Sequence, residues 1–164
     1  MSEGETALTG GCACGAVRYT VMGPPYVVNN CHCRLCQRQT GSTSVVNAFF
    51  ETERLTQHGG ETSRHVVKAG SGNDHVIVRC TNCGTALWSF YPRLGDHALG
   101  LRAGTLDDPD AVTPDAVIFV ESKMPWVPLP EGIPHFETFY NPAELLPPER
   151  LARMKALVAK RATG

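Results

Sequence analysis

The sequence predicts a mainly β chain of short antiparallel strands, tied together by cysteine clusters and closed by one C-terminal helix. Apolar or alternating runs are short and punctuated by glycine and proline, not by helical periodicity. All seven cysteines fall into three tight groups, Cys12-x-Cys14, Cys31-x-Cys33-x2-Cys36 and Cys80-x2-Cys83. One apolar stripe at helical spacing stands near the end of the chain. Short strands without intervening helices indicate antiparallel sheets rather than a βαβ arrangement.

The elements follow in chain order. Residues 16–21 alternate small or apolar with polar side chains and leave the first cysteine pair as a strand. A short helix over residues 34–40 follows the middle cysteines. Residues 44–50 read as a more buried strand because they carry Val45, Val46, Phe49 and Phe50. The series continues over 65–68, 75–79, 85–90 and 98–102, and 117–121 closes it. Gly59-Gly60 and residues 70–74 are loop signals, the second joining an antiparallel pair. The proline-rich stretch 125–134 reads as an extended surface loop. Trp88 and Trp126 read as core residues first and as pocket walls second.

Pro147-Pro148 sets the start of the C-terminal helix, about 148–161, with Glu149 in its first turn. Leu151, Met154, Leu157 and Val158 form its apolar stripe. Its basic residues, Arg150, Arg153, Lys155 and Lys160, are expected on a solvated face.

With 164 residues and 42% hydrophobic content, residues 1–164 are expected to form one domain with a real core. A net charge of −1, from 15 basic and 16 acidic residues, argues against gripping nucleic acid or an anionic membrane. Residues 1–11 are polar and glycine-rich, without the features of a signal peptide. No run approaches the roughly 18 apolar residues of a membrane span. A soluble cytoplasmic protein is the expectation. In a reducing compartment, an odd cysteine count with spacings of two and three favours metal binding over a disulfide scaffold or a redox dithiol.

Four thiolates close a tetrahedral zinc site, whereas three leave one position for water or substrate. Cys80-Thr81-Asn82-Cys83-Gly84 has the form of a zinc knuckle, and Gly11-Cys12-Ala13-Cys14-Gly15 is a second tight turn. One zinc clamping both turns ties the chain together across about 65 residues. Spacing alone leaves a second pairing open, in which Cys12 and Cys14 join Cys31 and Cys33. Three thiolates with Zn²⁺ carry a net charge of −1, a poor Lewis acid for water but a suitable partner for a substrate thiol. The alternative is a closed site capped by His32, His58, His65, His75, His97 or His135. His32 itself is expected to point away from the metal, because alternate side chains of an extended turn diverge.

The order Gly-x-Cys-x-Cys-Gly at 10–15, Cys-His-Cys-x2-Cys with Thr-Gly-Ser at 31–42, Cys-x2-Cys-Gly at 80–84 and Ser-Lys-Met-Pro-Trp at 122–126 resembles the GFA-like family. These are the glutathione-dependent formaldehyde-activating enzymes and their centromere-protein-V-like relatives, and the motifs span residues 10–126. The resemblance implies a β-tent fold and two zinc ions. Cys12, Cys14, Cys80 and Cys83 would hold a structural zinc. Cys31, Cys33 and Cys36 would hold an open, catalytic zinc beside a glutathione pocket. The implied activity joins formaldehyde to glutathione, a carbon–sulfur lyase reaction in reverse.

Glutathione carries two carboxylates, so Arg34, Arg38 and Lys123 are candidate anchors near the second site. Gln37, Thr40, Gly41 and Ser42 either hydrogen-bond the peptide or cap the short helix. Two rivals remain: a lyase or hydrolase acting on another thiol adduct, and a non-catalytic zinc- or thiol-binding or partner-binding module.

Overall fold

Burial alternating with exposure defines the first sheet, in which one strand turns Tyr19 and Val21 inward and leaves Arg18 and Met22 outside. The computed structural model describes residues 6–163, so the first five residues of the polar leader and Gly164 lie outside it. Ten strands are described: β1 (Ala7–Gly11), β2 (Arg18–Met22), β3 (Val27–Cys31), β4 (Val45–Glu51), β5 (Leu55–Gly59), β6 (Thr62–Lys68), β7 (Asp74–Cys80), β8 (Ala86–Phe90), β9 (Ala98–Arg102) and β10 (Ala116–Ile118). Three helices accompany them: α1 (Arg34–Thr40), α2 (Pro142–Leu145) and α3 (Pro148–Thr163). The small sheet has the order β1-β2-β5, and the large one β10-β3-β4-β9-β8-β7-β6. Pairing is antiparallel except between β10 and β3. The architecture is therefore mainly β with antiparallel sheets and a C-terminal helix, as the sequence predicts.

The large sheet is covered on both faces, which explains why β9 is buried at all five positions. One core cluster joins Tyr19 and Val21 of the small sheet to Ala48, Phe50, Leu87, Trp88, Leu99 and Leu101. The other packs Tyr26, Val27, Cys31, Cys36, Val45 and Ala98 under Met154 and Leu157 of α3. Trp88 lies in the first cluster, edge-on to Tyr19 at 6.0 Å between ring centroids. Trp126 does not join the core; it is 73% exposed on the loop after the Ser122-Lys123 segment.

Three strands, β1, β3 and β5, escape the sequence reading for separate reasons. The first has two glycines among five residues, and the last is an exposed edge with one partly buried leucine. In β3, Asn29 and Asn30 interrupt an otherwise apolar run, yet Asn29 is buried and accepts a hydrogen bond from the Tyr140 hydroxyl at 2.9 Å. The loop at 70–74 turns the β6–β7 hairpin, with the Ala69 and Gly72 amides closing it at 2.8 and 2.9 Å. The last strand stops at Ile118 because Phe119 adopts a left-handed backbone (φ 56°), after which Val120–Ser122 forms a 3-10 turn.

Two basic residues of α3 are not solvated. Arg150 binds Asp115 through both guanidinium arms and donates from Nε to the Tyr26 carbonyl at 2.9 Å. Arg153 donates to both oxygens of Glu51 at 2.8 and 2.6 Å, and to the Pro24 carbonyl at 3.0 Å. The helix is thus riveted to the sheet by ion pairs as well as by its apolar stripe.

Burial raises the Glu51 carboxyl, but the Arg153 hydrogen bond, its own backbone amide and the charges of Arg153 and Arg54 together outweigh it and hold the group below its usual range. A carboxylate depressed in the fold stabilises above its unfolded pKa, about 4.3, and loses that contribution as pH falls through the lower folded value. Arg153→Gln is expected to cost about 2 kcal/mol at pH 7 in urea unfolding. The deficit should shrink as pH falls through the lowered folded value, where Glu51 becomes protonated in either chain. A deficit that stays the same at pH 7 and in acid would contradict the pairing.

Candidate metal centres

Two matching turns build the first centre. In one, the Cys12 amide donates to Val17 O at 3.0 Å and the Gly15 amide to Cys12 O at 3.0 Å. In the other, the Cys80 amide donates to Thr85 O at 3.0 Å and the Gly84 amide to Cys80 O at 2.9 Å. Both reversals need a left-handed residue, supplied by Gly15 (φ 78°) and Gly84 (φ 74°). Each turn sits where a strand ends, and the small sheet lies against the large one, so the sulfurs of Cys12, Cys14, Cys80 and Cys83 gather within 4.8 Å of one another. The Cys12–Cys14 and Cys14–Cys80 sulfurs are 3.4 and 3.9 Å apart. Tetrahedral zinc with Zn–S bonds near 2.3 Å requires sulfurs about 3.8 Å apart, so this donor set fits the ion.

Hydrogen bonds to sulfur complete the first group. The Val17 amide donates to Cys12 Sγ at 3.2 Å and Asn82 Nδ2 to Cys14 Sγ at 3.2 Å. The Thr85 hydroxyl meets Cys83 Sγ at 3.1 Å. Cys12 and Cys80 are buried in the core, whereas Cys14 and Cys83 are exposed. Of the two pairings that spacing leaves open, the folded chain brings together the outer pairs.

Cys31, Cys33 and Cys36 form the second group, their sulfurs likewise within 4.8 Å of one another. Cys31 ends β3, Cys33 is the N-cap of α1, and Cys36 lies in its first turn. The Cys33 sulfur accepts from the Cys36 amide at 3.3 Å, a cap that bends the chain so that three sulfurs converge. Contacts from the Cys31 and Cys36 thiols pull the Cys33 thiol far down, while its own contacts with Cys33 and Cys36 push Cys31 up. Among the described residues no histidine or carboxylate joins this group, so the set offers three ligands. His32 is buried with its Nδ1 unpartnered, and it is not one of the gathered donors.

The remaining candidates divide by what they touch. Gln37 is buried, and its Nε2 donates to His32 O at 2.7 Å and Ser122 O at 3.0 Å, stapling α1 to the turn after β10. Arg34 donates to Gln37 Oε1 at 2.7 Å from the exposed side of α1, where Arg38 also stands exposed. The Lys123 ammonium is held by Met124 O and Val127 O at 3.1 and 2.6 Å within its own loop. Thr40, Gly41 and Ser42 cap α1. The Thr40 hydroxyl donates to Cys36 O at 2.9 Å, and the left-handed Gly41 (φ 64°) donates to Gln37 O at 2.8 Å.

The sequence reading missed a polar layer beneath α1. Asn47, Ser89 and Arg102 are buried on the large sheet, and above them Gln39 of α1 accepts from Arg102 through Oε1 while its Nε2 has no partner. A cavity of about 440 Å³ opens there, lined by Gln39, Thr40, Ser44, Arg79 and Arg102 among others. One signal was present: in Ala98-Leu99-Gly100-Leu101-Arg102 the arginine falls on an inward position of an apolar strand.

Residues 7–122 match the family model described as glutathione-dependent formaldehyde-activating enzyme. A protein of Halomonas elongata, provisionally named for that same activity, is 33% identical over 128 residues, covering 73% of this chain and 79% of its own. A solved protein of Rhodobacter sphaeroides aligns over 65% of this chain and 91% of its own, with 20% identity and a TM-score of 0.47.

Proposed function

Because this chain belongs to the family of glutathione-dependent formaldehyde-activating enzymes, we propose that it makes or breaks a carbon–sulfur bond between glutathione, or a similar small thiol, and formaldehyde or another small carbonyl. The observation that carries this reading is a set of three converging sulfurs with no fourth ligand among the described residues. In the forward direction the thiol sulfur bonds to the carbonyl carbon, the C=O pair moves to oxygen, and the thiol proton ends on the new hydroxyl. A zinc ion held by Cys31, Cys33 and Cys36 would keep a thiol as its thiolate at the fourth position. Cys12, Cys14, Cys80 and Cys83 would hold the other zinc as a structural clamp.

The chain's own part is placement. Gln37 fixes α1 against the Ser122 turn and so fixes the height of Cys36 over the sheet. Arg34 and Arg38 offer guanidinium groups to substrate carboxylates from the exposed side of α1. Arg79, on the cavity wall, donates to Gly84 O at 2.9 Å and to Gln39 O at 3.1 Å and so ties the β7–β8 turn to the far end of that helix. Proximity supplies much of the acceleration, because thiol addition to an aldehyde is already feasible unaided.

Cysteine clusters suited to metal rather than to disulfides fit a cytoplasmic setting.

The test pairs zinc K-edge spectroscopy of the zinc-loaded protein during glutathione titration with an NMR assay for S-hydroxymethylglutathione. The expected result is one added sulfur ligand at one of two zincs, and thiol-dependent turnover. Unchanged spectra at saturating thiol, with no turnover on formaldehyde or a panel of carbonyls, would refute the reading and favour the non-catalytic module.

A further inference from the structure

Arg102 is 5% exposed, at the inward end of β9, opposite Asn47 of β4. Its guanidinium donates to Asn47 Oδ1 and to the Tyr91 hydroxyl (3.3 Å) from one arm, and to Gln39 Oε1 (2.9 Å) and Ser89 Oγ (2.8 Å) from the other. All four acceptors are neutral, and its Nε–H has no partner. A buried ion without a countercharge is strongly unfavourable, so a fold that keeps one has a negative partner nearby.

The sheet register puts the cysteine triad on the same face as Arg102: Cys31 pairs with Val45 and Arg102 with Asn47, two residues further along β4. Gln39, which grips Arg102, stands three residues after Cys36 on α1, on the same side of that helix. The other basic groups here are neutral or otherwise held. His75 is buried and stacked on Tyr91 at 4.3 Å, and burial, then Arg102, keeps it down to about 4, hence uncharged at pH 7. The Lys123 ammonium is turned onto two carbonyls of its own loop.

The four-cysteine group has no such need. Cys14 and Cys83 are exposed, so water screens its larger negative charge. Cys31 and Cys36 are buried, at 5% and 2% exposure, and water cannot do the same for them.

We infer that Arg102 is the fixed countercharge of the Cys31–Cys33–Cys36 centre, a positioning residue that sets how tightly the three thiolates hold a divalent metal. Three thiolates with a dication carry −1, and Arg102 brings the assembly to neutrality. An incoming thiolate then raises the charge only to −1 rather than −2, which favours a thiol over water as the fourth partner. This rests on the metal reading of the triad, not on the reaction proposed for it.

The test is zinc affinity, read by competition with a chromophoric chelator. The parent protein is expected to hold two zincs; finding one would overturn the metal reading itself. Arg102→Met should weaken one of the two zincs by about 10–100-fold and leave the other unchanged. Arg102→Lys, which restores the charge without the fork, should recover part of that loss. Two zincs at parental affinity in Arg102→Met, or a lysine variant as weak as the methionine one, would overturn the proposal. A second comparison covers failure of Arg102→Met to fold. In a chain with Cys31, Cys33 and Cys36 all changed to serine, the guanidinium has lost its countercharge. Adding Arg102→Met to that chain should then raise the thermal midpoint, and a lowered midpoint would overturn the assignment.

Discussion

Cys80→Ser is expected to leave a chain that no longer holds its native fold, or holds it with a midpoint lowered by roughly 10–30 °C. Cys80 ends β7, is 2% exposed, and lies in the core cluster with Cys12, Val17 and Tyr19. Its sulfur approaches that of Cys14, 66 residues earlier, at 3.9 Å. A metal across that gap closes a loop that the chain would otherwise close at an entropic cost. Structural zinc contributes roughly 10–16 kcal/mol of apparent binding free energy, as much as the whole stability of a typical domain, about 5–15 kcal/mol. Losing half of it, at roughly 2–4 °C per kcal/mol for a chain of this size, gives the stated shift. Circular dichroism melts with and without a chelator provide the measurement. A Cys80→Ser chain that melts with the parent would remove the structural role from this site.

Cys36→Ser should do the opposite: keep the fold and lose the chemistry. The three sulfurs of its group lie within residues 31–36, so a metal there closes no long loop and constrains the unfolded chain little. The α1 caps made by Cys33, Thr40 and Gly41 do not use the Cys36 sulfur. Zinc content is therefore expected to fall from two ions per chain to one. Thiol–carbonyl turnover should drop below detection while the near-UV spectrum stays native. Retention of two zincs, or parental turnover with one, would separate the reaction from the triad.

Legibility in the sequence followed the range of the interactions. The hairpin at 70–74, the strand over 98–102 and the helix starting at Pro148 depend on local turn chemistry and side-chain period, and they fold where the pattern places them. Strands β1 and β5 lack such a pattern because their stability comes from pairing with β2 rather than from their own side chains. Arg150 and Arg153 read as solvated charge since their acidic partners, Asp115 and Glu51, lie 35 and 102 residues away. Gln37 Nε2 also meets Ser122 O, a carbonyl 85 residues away that only the turn after β10 brings within reach.

By itself, the sequence determined the family, the mainly β class and the two kinds of cysteine spacing, because a tight turn between near neighbours dictates how their sulfurs can converge. Which pairs share a centre was open on spacing and implied by the family resemblance, and the fold gathers those same sulfurs. Tertiary structure alone decided that the triad, not the tetrad, is the more buried. It also placed an uncompensated arginine beneath α1. Those outcomes depend on strand register and sheet packing, which bring groups tens of residues apart within bonding distance and which no local spacing encodes.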